Sequence, residues 1–324
     1  MIDNEEKNEH LNSSMLSVII PIYNAAENIE SNFSILKKSP IVNEIIVIDT
    51  GSTDDSIKIA ESYGALIIEI EKHSFDHGKS RTLGGKKASG DILVYMTQDA
   101  VPVNKHSIEN LVKPLLENKE IGASYGRQLP HHDATPFAAH LRAFNYPPKS
   151  SIKSLKDREP LGIKTPFMSN SFAAYKKSAI EKVGYFREGV IMAEDTYAGT
   201  KLLMAGYKIA YVAEALVYHS HNYTALEEFK RYFDIGVFHR MESWILNEFG
   251  KAEGEGLQYL KSELSYFLRS RRVHLIPESI LRIGLKYTGY KLGNNYERLP
   301  KWFIRKFSMH ADFWNKRLQH EKET

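Results

Sequence analysis

The 324-residue chain has no cysteine. Disulfides, a thiolate nucleophile and cysteine-held zinc are therefore excluded, and the absence suits a reducing compartment. No stretch approaches the ~18 consecutive apolar residues that a membrane-spanning helix needs. The opening MIDNEEKNEHLNSSM is polar and acidic. It lacks the basic start and apolar run of a secretory signal. No internal repeat or low-complexity tract is present. These absences predict a cytoplasmic protein, either free or docked on the inner face of the cell membrane.

What is present is ordinary in bulk. Hydrophobic residues make up 42% and charged residues 26%, enough for a sizeable core. The length suits one large α/β domain with an extension. Charge is uneven, however. Between Arg269 and Arg317 twelve Lys and Arg stand against Glu278, Glu297 and Asp312, whereas the whole chain carries only +3. A basic tail on a mildly acidic body predicts an anionic partner surface such as a membrane, or else a helical bundle with a solvated basic face. A nucleic-acid partner is not expected.

Residues 1–14 are expected to be a disordered leader. Then Leu16 to Ile22 and Glu44 to Asp49 are short β-branched runs, as buried strands require. Ala65 to Glu69 and Ile92 to Met96 predict two more. Helical patterns fall between them, over the segment holding Ile29, Phe33 and Leu36, from Asp54 to Tyr63, and from Lys79 to Ala88. Alternation of this kind predicts an α/β fold with a doubly wound, mostly parallel sheet, spanning residues 15–224. In such sheets ligands bind beyond the carboxyl ends of the strands. Gly126 to Thr165 has the composition of a long connection or lid. After Thr224 the pattern is helical and aromatic-rich, predicting a basic helical region over 225–324.

Four ordered blocks carry the chemistry. Val18-Ile-Ile-Pro-Ile-Tyr-Asn24, followed by Ile46-Val-Ile-Asp-Thr-Gly-Ser-Thr-Asp54, resembles the opening of family 2 glycosyltransferases, which have the GT-A fold. The resemblance implies that Pro21, Tyr23, Asn24 and Ser52 line a nucleotide pocket. It also implies that Asp49 accepts from the imide N–H of a pyrimidine, a charge-assisted bond. Taken alone, Asp49 reads equally as the cap of a turn. The second block, Gly78-Lys-Ser-Arg81 with Ala88 to Pro102, resembles the stretch leading to the family's metal-binding Asp-x-Asp. Only the last carboxylate remains, in Thr97-Gln98-Asp99. A Mg²⁺ ion often takes one or two carboxylates and fills its shell with phosphate and water. Lys79 and Arg81 are candidates to face a pyrophosphate; a solvated helix face is the alternative for Lys79.

The third block, Ala193-Glu-Asp-Thr-Tyr-Ala198, resembles the family's Glu-Asp motif, which makes Asp195 the general base. A helix start favours the ionised carboxylate that a base needs. The fourth, Val217-Tyr-His-Ser-His221, supplies His219, or His221 beside it, to complete a Mg²⁺ or Mn²⁺ site with Asp99. The same resemblance is strongest to bacterial rhamnosyltransferases of surface polysaccharide synthesis, with Gln98 among the nucleotide-sugar-binding candidates and Arg127 and Gln128 as candidates to contact the acceptor or donor sugar. It implies an inverting transfer from a dTDP or UDP sugar, dTDP-L-rhamnose in the first instance, to a lipid-linked or growing glycan. A UDP-hexose transferase and a decayed, non-enzymatic nucleotide-sugar-binding module are the alternatives. A nucleotidyltransferase would want a Gly-rich loop after the first strand, and Ile22 to Glu27 contains no glycine. A dehydrogenase would want G-x-G-x-x-G, which is absent.

Overall fold

The computed structural model describes residues 15–250 and 254–323; the expected leader lies outside them. The first half follows the alternation of the sequence: β1 (Leu16–Ile22), α1 (Ala26–Leu36), β2 (Glu44–Asp49), α2 (Ser56–Ser62), β3 (Leu66–Glu69), α3 (His77–Lys87) and β4 (Ile92–Met96). β1 pairs in parallel with both β2 and β4, and β2 with β3. Alternate residues of β1 enter different cores. Ile19 joins Ile46, Ile48 and Tyr95 on one face, while Val18, Ile20 and Ile22 join Phe33, Val47 and Val94 on the other. Burial on both faces is why these strands read as unbroken apolar runs.

Beyond β4 antiparallel strands join the sheet. The chain continues through β5 (Val101–Pro102), α4 (His106–Glu117), β6 (Ile121–Leu129), α5 (Pro136–Asn145), β7 (Ser151–Lys153), α6 (Arg158–Leu161), β8 (Phe172–Lys176), α7 (Lys177–Lys182), α8 (Glu194–Met204) and β9 (Lys208–Tyr218). The strand order is β3-β2-β1-β4-β8-β6-β9-β5, with β7 also on β9. β8 enters antiparallel between β4 and β6, so the sheet is mixed from there on. The expected long connection over 126–165 holds the end of β6 and the helix α5. Thr135 caps α5 by accepting the Ala138 N–H, with Pro136 in the first turn, a start signal legible in the sequence.

Among the described residues six α-helices follow: α9 (Ala225–Met241), α10 (Ser243–Phe249), α11 (Glu255–Arg269), α12 (Ile276–Asn294), α13 (Lys301–Phe307) and α14 (Ala311–Glu323). Ile304 and Trp314 belong to the same buried cluster as Tyr95 and Tyr175 of the sheet. The helices α9 and α12 approach through glycines. A Cβ on Gly293 would lie 1.9 Å from the Phe233 carbonyl oxygen, and one on Gly289 2.5 Å from that of Phe229. Neither backbone can yield without parting the helices. Gly293→Ala is therefore expected to cost about 1–3 kcal/mol in urea denaturation. Gly284→Ala, in the same helix with nothing within 4 Å of its Cβ, is expected to gain about 0.5–1 kcal/mol from helix propensity. Equal effects at the two positions would refute the close approach.

Candidate active site

Two chambers open at the carboxyl ends of the parallel strands. The larger, about 1010 Å³, is lined by Pro21, Tyr23, Gln98, the segment Lys72 to His77 and the tail residues Met309 to Phe313. The smaller, about 600 Å³, holds Asp99, Asp195, His219 and His221. His77, Arg81, Thr97 and His310 line both, so the chambers meet there.

The short pairing of β5 with β9 sets Val101 opposite Tyr218 and Pro102 opposite Val217. Two segments far apart in sequence are thereby joined, and Asp99 comes to lie beside His219. The carboxylate Oδ2 is 3.4 Å from His219 Nε2 and 3.8 Å from His221 Nε2. One donor atom from each residue lies within 4.8 Å of the others. His219 Nδ1 is 2.9 Å from Gln128 Oε1, an acceptor, so the ring donates there and keeps its Nε2 lone pair toward Asp99. Burial lowers the pKa of both imidazoles, that of His221 to about 4, with His219 adding to the effect. Burial alone would raise Asp99, but His219, which donates to the carboxylate whenever that ring is protonated, together with Thr97 and His221 holds it well below the usual carboxylate range. Two neutral imidazoles and one carboxylate form a donor set that fits a divalent cation, with nitrogen ligands favouring Mn²⁺ over Mg²⁺.

Asp195 opens α8. Ala193, just before the helix, adopts a left-handed φ of 62°, a conformation a non-glycine residue holds only under constraint. Asp195 Oδ2 accepts the Asn170 N–H at 3.0 Å and Oδ1 the Thr196 N–H at 2.7 Å. Burial, reinforced by the neighbouring Glu194 charge, pushes its pKa up to about 7. Glu194 behaves oppositely. Burial would raise it, but Arg81, His77 and Asn170 together lower it. Neighbouring carboxylates pushed apart in this way divide the roles: one stays ionised and the other exchanges a proton near neutrality.

The remaining predicted residues are placed as follows. Arg81 is buried and pairs with Glu194 at 3.2 Å, while contributing to the wall of both chambers. Gln98 holds the Tyr23 backbone, accepting its N–H at 2.8 Å and donating to its carbonyl at 3.2 Å. Asn24 and Ser52 brace two loops: the Asn24 N–H donates to Ser52 Oγ, and Asn24 Oδ1 accepts the Thr53 N–H. Asp49 Oδ2 accepts from the Gly51 and Ser52 N–H groups, which leaves Oδ1 buried with no partner among the described residues. Lys79 is exposed, and Arg127 donates to the Tyr146 carbonyl. Asn24, Ser52, Asp49, Lys79 and Arg127 line neither chamber. Residues the sequence did not single out are His77, Arg142, Asn170 and His310. Arg142 donates to Gln128 Oε1 behind His219. His310 comes from the tail, whose docking leaves no local signal.

Residues 17–184 match glycosyl transferase family 2, more than half of the chain. The chain belongs to that family. Full-length relatives agree. The family 2 chain is 45% identical over 302 residues to the O-antigen chain rhamnosyltransferase WbaN of Salmonella anatum, covering 92% of this chain and 95% of that protein. Against the O-antigen chain rhamnosyltransferase RfbN of Salmonella typhimurium it is 45% identical over 303 residues, covering 93% and 96%. Among solved structures, a mannosyltransferase from Pyrobaculum calidifontis in complex with GDP-Man and Mn²⁺ matches with a TM-score of 0.56 at 16% identity, covering 97% of this chain and 94% of that one. Glucosyl-3-phosphoglycerate synthase from Mycobacterium tuberculosis, in complex with Mg²⁺ and UDP, gives 0.51 at 21%, covering 77% and 85%. These likenesses show the GT-A fold. Asp195, His219 and His221 lie beyond the matched segment 17–184 but within the span of the two Salmonella relatives.

Proposed function

We propose that this glycosyltransferase moves L-rhamnose from dTDP-L-rhamnose to a lipid-linked or growing surface polysaccharide, with inversion at the anomeric carbon. The observation that carries the inversion is Asp195, a carboxylate tuned near neutrality, in one chamber with Asp99, His219 and His221. The rhamnose assignment rests on the Salmonella relatives.

In this reading Asp195 takes the proton of an acceptor hydroxyl as that oxygen attacks the anomeric carbon from the face opposite the leaving group. One displacement needs no protein nucleophile. Asp99, His219 and His221 would hold Mn²⁺ or Mg²⁺, which when bound neutralises charge on the departing diphosphate. Glu194, pinned by Arg81 and Asn170, keeps the Asp195 pKa high. Asp49 lines neither chamber as it stands, but its unpartnered Oδ1 would suit a thymine or uracil imide N–H once the covering loop gives way, and would repel the ring acceptor of cytosine. Phe167 and Met168 line the smaller chamber and offer apolar surface to the rhamnose methyl group. Residues 15–224 would form the catalytic unit and 225–324 a helical cover that completes the donor chamber. Among the described residues no helix is long and apolar enough to cross a membrane, and in this reading the reaction runs on the cytoplasmic side.

The test is a donor panel with product NMR. Turnover with dTDP-L-rhamnose is expected to exceed that with UDP-glucose or UDP-galactose. A β-linked donor is expected to give an α-L-rhamnoside. A β-linked product would refute single displacement, and preference for a UDP-hexose would refute the donor.

A further inference from the structure

The helix α12 is built inside out. Its buried positions are Ser279, Arg282, Lys286, Gly289 and Gly293. Arg282 and Lys286 reach Glu228 at 3.3 and 3.1 Å. The opposite face, at helical spacing, presents Pro277, Ile280, Leu281, Gly284, Tyr287 and Lys291, all exposed. Ile280, Leu281 and Tyr287 keep 57%, 58% and 64% of their surface open. A helix on a globular protein ordinarily has the reverse arrangement. Contiguous exposed apolar surface marks a face that something else covers.

The surroundings of the stripe say what covers it. Leu268 and Val273, at the junction of α11 and α12, are also exposed. With them are Arg269, Arg271 and Arg272, exposed and without an ion pair among the described residues. At the other end of the stripe stands Lys291. The nearby acid, Glu278, is taken by Arg282 at 2.7 Å. The face is thus apolar along its length and basic at both ends. A second copy related by a two-fold axis would set basic ends against basic ends, which repel. We propose that this face docks on an anionic lipid bilayer, the apolar stripe entering the headgroup boundary and the arginines pairing with lipid phosphate. Lys286, on the inner side of the same helix, lines the smaller chamber. One helix diameter, about 10 Å, therefore separates the lipid-facing stripe from the chamber that holds Asp195, the proposed base for the acceptor hydroxyl. That last link rests on the proposed function; the docking itself does not.

The experiment is sedimentation of the full chain, without donor or acceptor, with phosphatidylcholine vesicles and with vesicles that also contain phosphatidylglycerol. Binding is expected only to the second. Replacing Arg269, Arg271 and Arg272 together by Gln is expected to lower partitioning by on the order of 100-fold. The combination Ile280→Ser, Leu281→Ser and Tyr287→Ser is expected to abolish it. Both variants should melt at the wild-type temperature and keep wild-type turnover on a soluble acceptor fragment. Indifference to the anionic lipid would overturn the proposal. So would light scattering that shows a dimer which the serine substitutions dissolve, since the face would then join two copies. Neither result bears on the donor or on the chemistry, which the product analysis tests separately.

Discussion

Asp195→Asn is expected to lower turnover by roughly 10²–10⁴, the range that general-base catalysis contributes. The amide keeps the size of the carboxylate and one acceptor for the Asn170 or Thr196 N–H, but it cannot take the proton of an acceptor hydroxyl. Donor affinity should change little, because the partner of the Asp195 carboxylate in this reading is the acceptor hydroxyl and not the donor. Loss of folding does not explain the expected result. The Asp195 pKa is raised on folding to about 7. The unfolded chain therefore releases that proton first, and stability falls as pH rises from about 4 to about 7. The neutral Asn lacks this cost, so the variant should be no less stable than wild type at pH 8. Near-normal turnover in Asp195→Asn would remove the residue from the mechanism.

The same shift fixes a pH profile. A base works when ionised, so kcat/KM should rise with pH and level off near 7 instead of near 4. Glu194→Gln removes the neighbouring negative charge and releases the positive charge of Arg81 toward Asp195. Both changes favour ionised Asp195. The rising limb is expected to move to lower pH in that variant, and a limb that stays in place would show that Glu194 does not set it.

The strands β1, β2 and β4 were legible because burial on both faces leaves an unbroken apolar run. β8 was not: Phe172-Ala-Ala-Tyr-Lys176 is too short and too rich in alanine to stand out. Its antiparallel entry is decided by partners that sequence periodicity does not name. In the site, Asp99 and the His pair were legible as strand-end residues with metal-binding chemistry, and the pairing of Val101 with Tyr218 brings them together. Position after a strand says where a side chain starts, but not where it points. Gln98 sits at such a strand end and turns back to hold the Tyr23 backbone. Arg81, on α3, turns to Glu194. The contribution of Met309 and His310 depends on where α13 and α14 dock. The Asp234 carboxylate fixes that turn by accepting the Met309 N–H at 2.8 Å. A contact across so many residues has no trace in local pattern.

Removal of divalent metal is expected to abolish transfer, and substitution at His219 should reproduce that loss. Asp99, His219 and His221 offer three ligand atoms, and a cation held by so few protein groups leaves positions for phosphate oxygens and water. Chelation by EDTA should stop turnover, with Mn²⁺ restoring it at lower concentration than Mg²⁺ because imidazole nitrogen favours the later metal. His219→Ala removes one ligand and leaves Gln128 without its ring partner. It is expected to weaken Mn²⁺ binding strongly. Gln128→Ala keeps all three ligands but frees the ring that the amide orients, and a loss of about 10–100-fold in metal affinity is the usual effect of such a supporting contact. Titration of Mn²⁺ by its paramagnetic signal orders the three proteins without an activity assay. The expected order is wild type, then Gln128→Ala, then His219→Ala. Equal Mn²⁺ binding in all three, or full turnover in chelator, would show that the triad is not the metal site and that the cations around the leaving group belong to the protein itself.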